Sequence, residues 1–343
     1  MMPNCFEQAK NALDNSQVIA FPTETVMGLG VYYDDYSAYK RLNEIKRRPE
    51  DKPYTLMLSD VNDIDKYAEL TLRDRRIINS FMPGPITLLL KSKNSVPEYV
   101  THGTGVIGVR VPNMEVIQKM IGYAGKPLLV PSANRSGESP FTTYADVENE
   151  FKNELGFVLH ADSLGGEPST IVDLTGGDIR IIREGDISLL EIEKSIAMMR
   201  IAIGSDHGGF LYKDAIKQHL LGQGCSVIDV GTNSLESCHY PIYAGEVAKR
   251  VASEECEFGI VICTSGEGVA IAANKVRGIR CGIAYNDEVA RLMREHNDAN
   301  VISFGQKFMA LEDVLKRVDI FLSTPFAGGR HQTRVDLISN LEK

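Results

Sequence analysis

Residues that could bind phosphate and move protons fall into two separate stretches of this chain. In the first stretch, hydroxyls, amides and cations follow short apolar runs, as at residues 22–30 and 131–137. In the second, Cys263 ends an apolar run and precedes a glycine loop at 266–268 that leads into a helical pattern. The free amides of such a loop can stabilise an anion, either a phosphate or an enediolate oxygen. The sequence therefore predicts two sites, one on each side of a junction near Met199.

The composition is typical of a globular protein with more than one domain. The chain has 343 residues, of which 43% are hydrophobic and 24% charged, and domains of about 150 residues each would give two of them. We predict a first domain over residues 1–196 and a second over 199–343, with a connector at 184–199. A net charge of −9 disfavours general nucleic-acid coating but allows a local basic patch.

The sequence also indicates the compartment. No apolar run approaches the roughly 18 residues that cross a bilayer, and residues 1–17 lack the apolar stretch of a signal peptide. We therefore expect a cytoplasmic protein with no membrane partner. The 6 cysteines show no paired metal spacing, which favours reduced thiols over zinc sites or disulfides.

The apolar runs of the first half predict an α+β fold, a twisted sheet curled around a concave site. Lys46, Arg48 and Lys52 stand beside two prolines, and rigidly held cations suit a polyphosphate. A basic helix end that complements the helix dipole is the alternative. For Ser132 and Asn134, the alternative to ligand binding is the capping of a turn.

The motifs of the first half resemble those of the YrdC family, the threonylcarbamoyl-AMP synthases, over nearly all of residues 5–190. The resemblance is carried by Pro-Thr-Glu-Thr at 22–25, Lys-x-Arg-Pro at 46–49, Ser-x-Asn at 132–134 and Ser-Thr-Ile-Val-Asp at 169–173. It implies that L-threonine, bicarbonate and ATP give threonylcarbamoyl-adenylate and pyrophosphate. This adenylate is the precursor of a modified adenosine beside the tRNA anticodon, so tRNA-modification proteins are implied partners.

The same resemblance assigns residues to two substrates. The implied threonine site consists of Thr25, Arg110, Ser132 and Ser169. The implied ATP site consists of Lys46, Arg48, Lys52, Asn134, Thr142 and Arg183.

Charge stabilisation is the chemistry that these residue types can supply. Carbamate attack on the α-phosphate builds negative charge that lysine and arginine would stabilise, helped by Mg²⁺ bound with ATP. We predict no metal site made of protein side chains. Met27 stands where the family commonly has an aromatic residue, and Met57 lies near a position where longer members carry a histidine. A noncatalytic RNA-binding module that uses the same basic concavity is the alternative function.

The second half alternates apolar and helical stretches, which predicts a Rossmann-like α/β/α sandwich with a five-stranded parallel sheet. The predicted strands are 200–204, 226–230, 259–263, 278–284 and 299–304. Ligands of such sheets bind at the carboxyl ends of strands, and the candidate residues follow or flank those ends.

Two features of the second half suggest specific chemistry. Cys263 ends a strand beside a helix start, where the local field favours a thiolate, although a buried structural cysteine is the alternative. Glu267 is a second possible base. Arg330 and Arg334 lie one helical turn apart, as two cations that bind one phosphate would.

The second half resembles ribose-5-phosphate isomerase of the B type. The motifs are Ser-Asp-His-Gly-Gly at 205–209, Ala-Ala-Asn-Lys at 272–275, Arg-Glu-His-Asn-Asp-Ala-Asn at 294–300 and Gly-Gly-Arg-His-Gln-Thr-Arg at 328–334. Related galactose-6-phosphate isomerases share the fold, so another phosphosugar, or weak activity, remains open.

This resemblance implies a role for each candidate. Cys263 would move a proton between carbons 1 and 2, and Ser265 and His296 would assist ring opening. The remaining substrate contacts would be Asp206 and Asn297 to hydroxyls, His207, Arg330 and Arg334 to phosphate, and Gly266 and Gly268 in the loop. The family uses no metal or organic cofactor and builds this site across a homodimer, with the histidine–asparagine pair supplied by the partner subunit.

Thr264 departs from the isomerase pattern, where glycine is common. If the backbone there had to adopt a positive φ, threonine would restrict it. The sequence as a whole predicts a bifunctional enzyme, a nucleotidyltransferase joined to a sugar-phosphate isomerase.

Overall fold

Two compact units make up the chain. The computed structural model describes residues 2–47, 53–165 and 167–342. The first unit is Met1–Leu70 with Ser80–Ser195, and the second is Thr71–Asn79 with Ile196–Lys343. Both combine helices and strands, as the predicted fold class requires. The domain limits at 196 and 199 stay a prediction. Within the described residues, no helix is long and apolar enough to span a membrane.

The first unit contains a mixed sheet of nine strands among its described residues. Its strands are β1 Ile19–Phe21, β2 Gly28–Tyr32, β3 Thr55–Met57, β4 Ile86–Lys91, β5 Val106–Arg110, β6 Leu128–Val130, β7 Phe157–Val158, β8 Thr170–Asp173 and β9 Arg180–Arg183. The spatial order is β7-β1-β2-β6-β3-β5-β4-β8-β9, with both parallel and antiparallel pairs. Close packing explains the glycines of β2, because a Cβ at Gly30 would lie 2.7 Å from the ring of Phe21.

Helices flank or connect these strands. They are α1 Met2–Asp14, α2 Tyr36–Lys46, α4 Glu98–Thr101, α5 Glu115–Ala124, α6 Tyr144–Phe151 and α7 Leu189–Ser195, with 3₁₀ turns at Val61–Lys66 and Lys152–Glu154. Helix α3, Leu72–Phe81, belongs mostly to the second unit. Asp35 caps α2 by accepting a hydrogen bond from the backbone N–H of Ala38 at 3.0 Å. At its other end α2 stops where Arg47 adopts the left-handed conformation, with φ of +50°. The Asp35 cap and the left-handed Arg47 set the two ends of α2, so the basic residues that start at Lys46 begin at the end of this helix.

The second unit contains the predicted five-stranded parallel sheet. Its strands are β10 Arg200–Ser205, β11 Ser226–Asp229, β12 Phe258–Cys263, β13 Cys281–Ile283 and β14 Val301–Gly305. They lie in the order β11-β10-β12-β14-β13, and every pair is parallel. The helices are α8 Phe210–Gly222, α9 Tyr240–Ala252, α10 Glu267–Ala273, α11 Asp287–Glu295, α12 Leu311–Ser323 and α13 Arg330–Asn340, with a 3₁₀ turn at His207–Gly209.

Apolar side chains cover both faces of this sheet. Along β10, Ile201 and Ile203 pack into one core cluster while Ala202 packs into another. Side chains alternate between the faces of a strand, so the two clusters lie on opposite faces. Residues of α8, α11 and α12 fill the first cluster, and residues of α9 and α10 fill the second. This arrangement confirms the α/β/α sandwich and explains why its strands are almost continuously apolar.

A buried ion pair ties α8 to the end of β11. Lys213 is only 1% exposed and donates a hydrogen bond to Asp229 Oδ2 at 2.8 Å, and Lys217 donates to the same oxygen at 3.0 Å. Burial acts to raise the pKa of Asp229, but both lysines and the N–H of Gly231 outweigh burial and hold this pKa below its ordinary value.

We predict that Asp229→Asn destabilises the second unit by about 3 kcal/mol at neutral pH, because the buried ammonium of Lys213 then keeps only the half-exposed carboxylate of Asp214, 3.3 Å away. A lowered folded-state pKa gives stability that is present above the unfolded carboxyl's pKa of about 3.9 and is lost as the pH falls below it. Urea unfolding at pH 7 and pH 3 measures both effects. A variant as stable as the wild type at pH 7 would contradict the prediction.

Candidate functional sites

The first unit encloses a cavity of about 200 Å³. Five of the predicted site residues line it, namely Thr25, Arg110, Ser132, Ser169 and Arg183. They come from strand ends and from the turns that follow strands, which is where the sequence motifs lie. The cavity therefore gathers hydroxyls and two guanidinium groups from segments far apart in sequence.

Arg110, the last residue of β5, is a buried cation of this cavity. Its side chain is 8% exposed, and its Nη2 donates a hydrogen bond to Thr25 Oγ1 at 3.0 Å. The same Nη2 lies 2.9 Å from Oε1 of Glu24, although neither oxygen of that carboxylate receives a well-aligned hydrogen bond. The Nε–H of Arg110 also lacks a partner. A guanidinium with an unused N–H at a cavity wall can bind a carboxylate ligand by donating a hydrogen bond to it.

Arg183, the last residue of β9, lines the same cavity as Arg110. Its Nε and Nη2 donate to the backbone oxygen of Ser169 at 3.0 and 2.8 Å, and Nη2 lies 3.1 Å from Ser169 Oγ. Thr87 Oγ1 lies 3.0 Å from that hydroxyl. Burial, and then the positive charge of Arg110, lower the pKa of Arg183. Two cations that repel each other across one cavity favour an anionic ligand.

Lys46 lies in the protein interior. This last residue of α2 is 1% exposed, and its ammonium donates to Ser132 O at 2.5 Å, Asn134 O at 2.8 Å and Asn134 Oδ1 at 2.9 Å. Ser132 Oγ donates to Asn134 Oδ1 at 2.6 Å, and Asn134 Nδ2 donates to the backbone oxygens of Arg135 and Glu138. Lys46 therefore holds the Ser-x-Asn turn in shape, and that turn brings Ser132 to the cavity.

The other predicted ATP residues are less closely gathered. Arg48 and Lys52 lie outside the described residues. Lys46, Asn134 and Thr142 are not among the described residues that line the cavity. Sequence reasoning gave no role to Thr87, or to Glu24 although it stands within the motif at 22–25. Nothing in the local pattern showed that these side chains would contact Arg110 and Ser169.

In the second unit, the turn after β10 presents Asp206 and His207. Asp206 is 5% exposed, and its Oδ1 accepts the N–H of Gly208 at 3.0 Å. His207 Nδ1 accepts the backbone N–H of Cys238 at 3.2 Å. With Nδ1 accepting this bond, Nε2 is the ring nitrogen left to donate. His207 can therefore donate a hydrogen bond from Nε2.

Cys263 ends the neighbouring strand β12, to which β10 is paired. Its side chain is buried, and the N–H of Gly266 donates to its Sγ at 3.1 Å. An N–H directed at sulfur stabilises negative charge there. Ser265, two residues after Cys263, accepts the N–H of Glu267 at 3.3 Å, whereas the Glu267 side chain is exposed.

The loop after Cys263 needs one glycine for its conformation. Gly266 has φ of +87°, and a Cβ there would lie 3.0 Å from the backbone of Phe304. Thr264, the departure from the isomerase pattern, does not have a positive φ. The positive φ of this loop is therefore at Gly266, two residues after Thr264, so threonine is compatible with the loop at position 264.

The remaining candidates form a second group. The rings of His296 and His331 stack with centroids 4.1 Å apart and an angle of 4° between their planes. Burial, then His296 and the cations Arg330 and Arg334, lower the pKa of His331. Asn297 is exposed and lines a shallow cavity of about 310 Å³ with Arg280 and Cys281, among others.

These two groups remain separate within one chain. One contains Asp206, His207 and the Cys263 loop, and the other contains the His296–His331 stack and the arginines of α13. In the part of the chain that the structure describes, no hydrogen bond, ion pair or ring contact joins the two groups. Each group alone offers only part of the predicted isomerase chemistry.

Comparison with known families agrees with this division. A family model for Sua5, YciO and YrdC proteins, described as "Telomere recombination", matches residues 11–185. The chain belongs to this family. A second model, described as "Ribose/Galactose Isomerase", matches residues 201–338. The chain also belongs to this second family, because it covers almost the whole length of a relative from that family. The chain is therefore a fusion of a domain from each family.

That relative is the ribose-5-phosphate isomerase B of Escherichia coli, 46% identical over 146 residues, which are 43% of this chain and 98% of the relative. The threonylcarbamoyl-AMP synthase of Pyrococcus abyssi is 34% identical over 195 residues, 56% of this chain, and the chain spans only 57% of that enzyme. The crystal structure of Escherichia coli YciO is 25% identical, with a TM-score of 0.52 over 55% of this chain and 93% of YciO.

We predict that Gly305→Ala destabilises the second unit by about 1–3 kcal/mol, because the new methyl group overpacks the Cys263 loop. A Cβ at Gly305 would lie 2.4 Å from Ser265 O and 2.5 Å from Ser265 C. Gly245→Ala, within α9 and with no atom near the new Cβ, is the matched control and should stabilise by about 0.5–1 kcal/mol. Thermal unfolding compares the two variants, and equal melting temperatures would contradict the prediction.

Proposed function

We propose that the protein is a bifunctional enzyme. The first unit makes threonylcarbamoyl-AMP and pyrophosphate from L-threonine, bicarbonate and ATP for tRNA modification. The second unit interconverts ribose 5-phosphate and ribulose 5-phosphate through an enediolate. The observation that carries the first activity is the pair Arg110 and Arg183 at one cavity. The observation that carries the second is the amide of Gly266 directed at Cys263.

In the first unit, the proposed threonine site uses the cavity itself. Arg110 pairs with the threonine carboxylate through its unused donor, while Thr25, Ser132 and Ser169 contact the rest of the amino acid. A cavity of about 200 Å³ suits an amino acid better than a whole nucleotide. ATP would therefore approach from outside, as its magnesium complex, with its phosphates toward Arg183.

The remaining members of the proposed ATP site are those that the family motifs supply. They are Lys46, Arg48, Lys52, Asn134 and Thr142. Attack of the carbamate oxygen on the α-phosphorus releases pyrophosphate, and preorganised cations stabilise the charge that builds on the phosphoryl oxygens. The adenylate must then be used by a transferase that carries the threonylcarbamoyl group to tRNA. Such tRNA-modification proteins are the proposed partners of this unit.

In the second unit, Cys263 acts as the proposed base. As a thiolate it takes the proton from carbon 2 of the open aldose and returns it to carbon 1 of the enediolate, so the thiolate is regenerated. The amides of the loop that contains Gly266 and Gly268 stabilise the enediolate oxygen. Asp206 holds a hydroxyl, and His207 donates to the phosphate from Nε2.

A second copy of the chain would complete this site. His296 and Ser265 are proposed to open the sugar ring, Asn297 to bind a hydroxyl, and Arg330 and Arg334 to neutralise the phosphate. Because the histidine and arginine group is separate from the Cys263 group within one chain, we propose a homodimer through the second unit. Each site then combines groups from both copies.

We expect Arg110→Lys to raise the KM for threonine at least about tenfold, because an ammonium cannot form the bidentate pair that a guanidinium forms with a carboxylate. The KM for ATP should stay within about twofold. Pyrophosphate release that depends on both threonine and bicarbonate is the measurement, and Arg41→Lys, an exposed change on α2, is the control. Salt-sensitive tRNA binding without turnover would instead support an RNA-binding module.

We expect Cys263→Ser to lower isomerase kcat by about 10²–10⁴-fold, because a serine hydroxyl stays protonated where a thiol can ionise. Conversion of ribose 5-phosphate to ribulose 5-phosphate is the measurement. Cys256→Ala is the matched control, since burial raises the pKa of Cys256 and this thiol lies in the core. Retained activity in Cys263→Ser, together with its loss in Glu267→Gln, would move the role of base to Glu267.

A further inference from the structure

The turn that follows helix α11 contains a residue whose conformation is uncommon for its side chain. The N–H of Asp298 bonds to Arg294 O at 3.1 Å and the N–H of Ala299 bonds to Met293 O at 2.8 Å, while Asp298 itself has φ of +46°. Helices commonly end at such a left-handed residue, but it is usually glycine because a Cβ is strained there. An aspartate at this position therefore needs a reason in its side chain.

The carboxylate of Asp298 bridges two arginines. Arg294 Nη1 donates to Oδ1 at 2.7 Å, and Arg280 Nη2 donates to Oδ2 at 2.7 Å. Both arginines also bind the backbone of the same turn. Arg280 Nε donates to the backbone oxygens of Asn297 and Asp298, at 3.1 and 2.8 Å, and Arg294 Nη1 donates to Ala299 O at 2.7 Å. Charge-assisted bonds of this kind are stronger than neutral ones and fix the geometry of the groups they join.

The two arginines are themselves held in place. Arg294 is 8% exposed, and its guanidinium lies over the rings of Phe258 at 4.9 Å and Phe321 at 5.8 Å. Arg280 directly precedes β13, and its backbone N–H donates to Asn300 Oδ1 at 2.9 Å. The turn is thus attached to the core on one side and to the sheet on the other.

We propose that Asp298, Arg280 and Arg294 are positioning residues that hold His296 and Asn297 in the orientation needed for ring opening and hydroxyl binding. This inference rests on the proposed isomerase function. The turn contains His296, Asn297 and Asp298 in succession. The hydrogen bonds that the two arginines donate to Asp298 and to the Asn297 carbonyl, which we call the clamp, therefore fix the backbone of His296 and Asn297. Stacking on His331 then fixes the His296 ring. Strain retained at Asp298 is the usual mark of such preorganisation.

Asp298→Gly tests the proposal sharply, because glycine suits the left-handed conformation and removes only the clamp. The buried Arg294 then keeps only Ala299 O as a hydrogen-bond acceptor, so we expect this variant to fold but to melt lower than the wild type. We also expect it to lose at least about tenfold in isomerase kcat, since displacements of about 1 Å can cost about 100-fold. The inhibition constant of inorganic phosphate should stay within about twofold, because Arg330, Arg334 and His207 are unchanged. Wild-type kcat in Asp298→Gly would overturn the proposal.

Asp298→Asn is the second variant, because asparagine also tolerates the left-handed conformation and keeps the shape of aspartate without its charge. We expect it to lose kcat to an intermediate extent. Asp313→Asn is the matched control, since it removes an exposed carboxylate from an arginine pair on α12 and should keep wild-type kcat.

Two further measurements separate this inference from the proposed function. If His296→Ala loses activity while both Asp298 variants keep it, the clamp is wrong and the isomerase assignment stands. Amide hydrogen exchange over residues 296–299 does not depend on activity, and we expect it to accelerate at least about tenfold in Asp298→Gly, as local opening becomes easier. Unchanged exchange would overturn the clamp even if the chain proved to be no isomerase.

Discussion

Buried cations have fixed partners in this protein, and both candidate sites depend on that constraint. Removing an ammonium or guanidinium from water is costly unless oxygens replace the lost water molecules. Lys46 meets this requirement with oxygens of the Ser-x-Asn turn, Lys213 with Asp229, and Arg294 with Asp298. In each case the cation determines where a loop or turn lies. Arg110 and Arg294 each keep a buried Nε–H without a partner, but Arg110 lies at a cavity wall, where a binding cation is required.

Much of the fold could be predicted because strand and helix patterns are local. The runs at 200–204 and 259–263 are close to β10 and β12, since strands covered on both faces are almost continuously apolar. The prediction of 278–284 was too long, because β13 is only Cys281–Ile283. Gly278 has φ of +82° and belongs to a turn that Asn300 holds by accepting the N–H of Arg280 and donating to Gly278 O.

The sites could be predicted only in part. Motif residues at strand ends, such as Thr25, Arg110 and Ser169, do share a cavity, because strand ends converge at the edge of a sheet. Sequence could not show that Lys46 would turn inward or that Glu24 would contact Arg110, since side-chain direction depends on distant packing. Nor could it show that Asp298 would be left-handed, because aspartate is not the residue that normally signals that conformation.

The hydrogen bond from Cys238 to His207 has a consequence for how a sugar phosphate is recognised. This bond occupies Nδ1, so Nε2 is the nitrogen of His207 that can donate to a ligand. Beside Cys263, an anionic ligand would then meet single directional donors, while the guanidinium groups of α13 belong to the separate group. In the proposed homodimer, capture of the phosphate would consequently weaken as the protein is diluted below the concentration at which two copies associate.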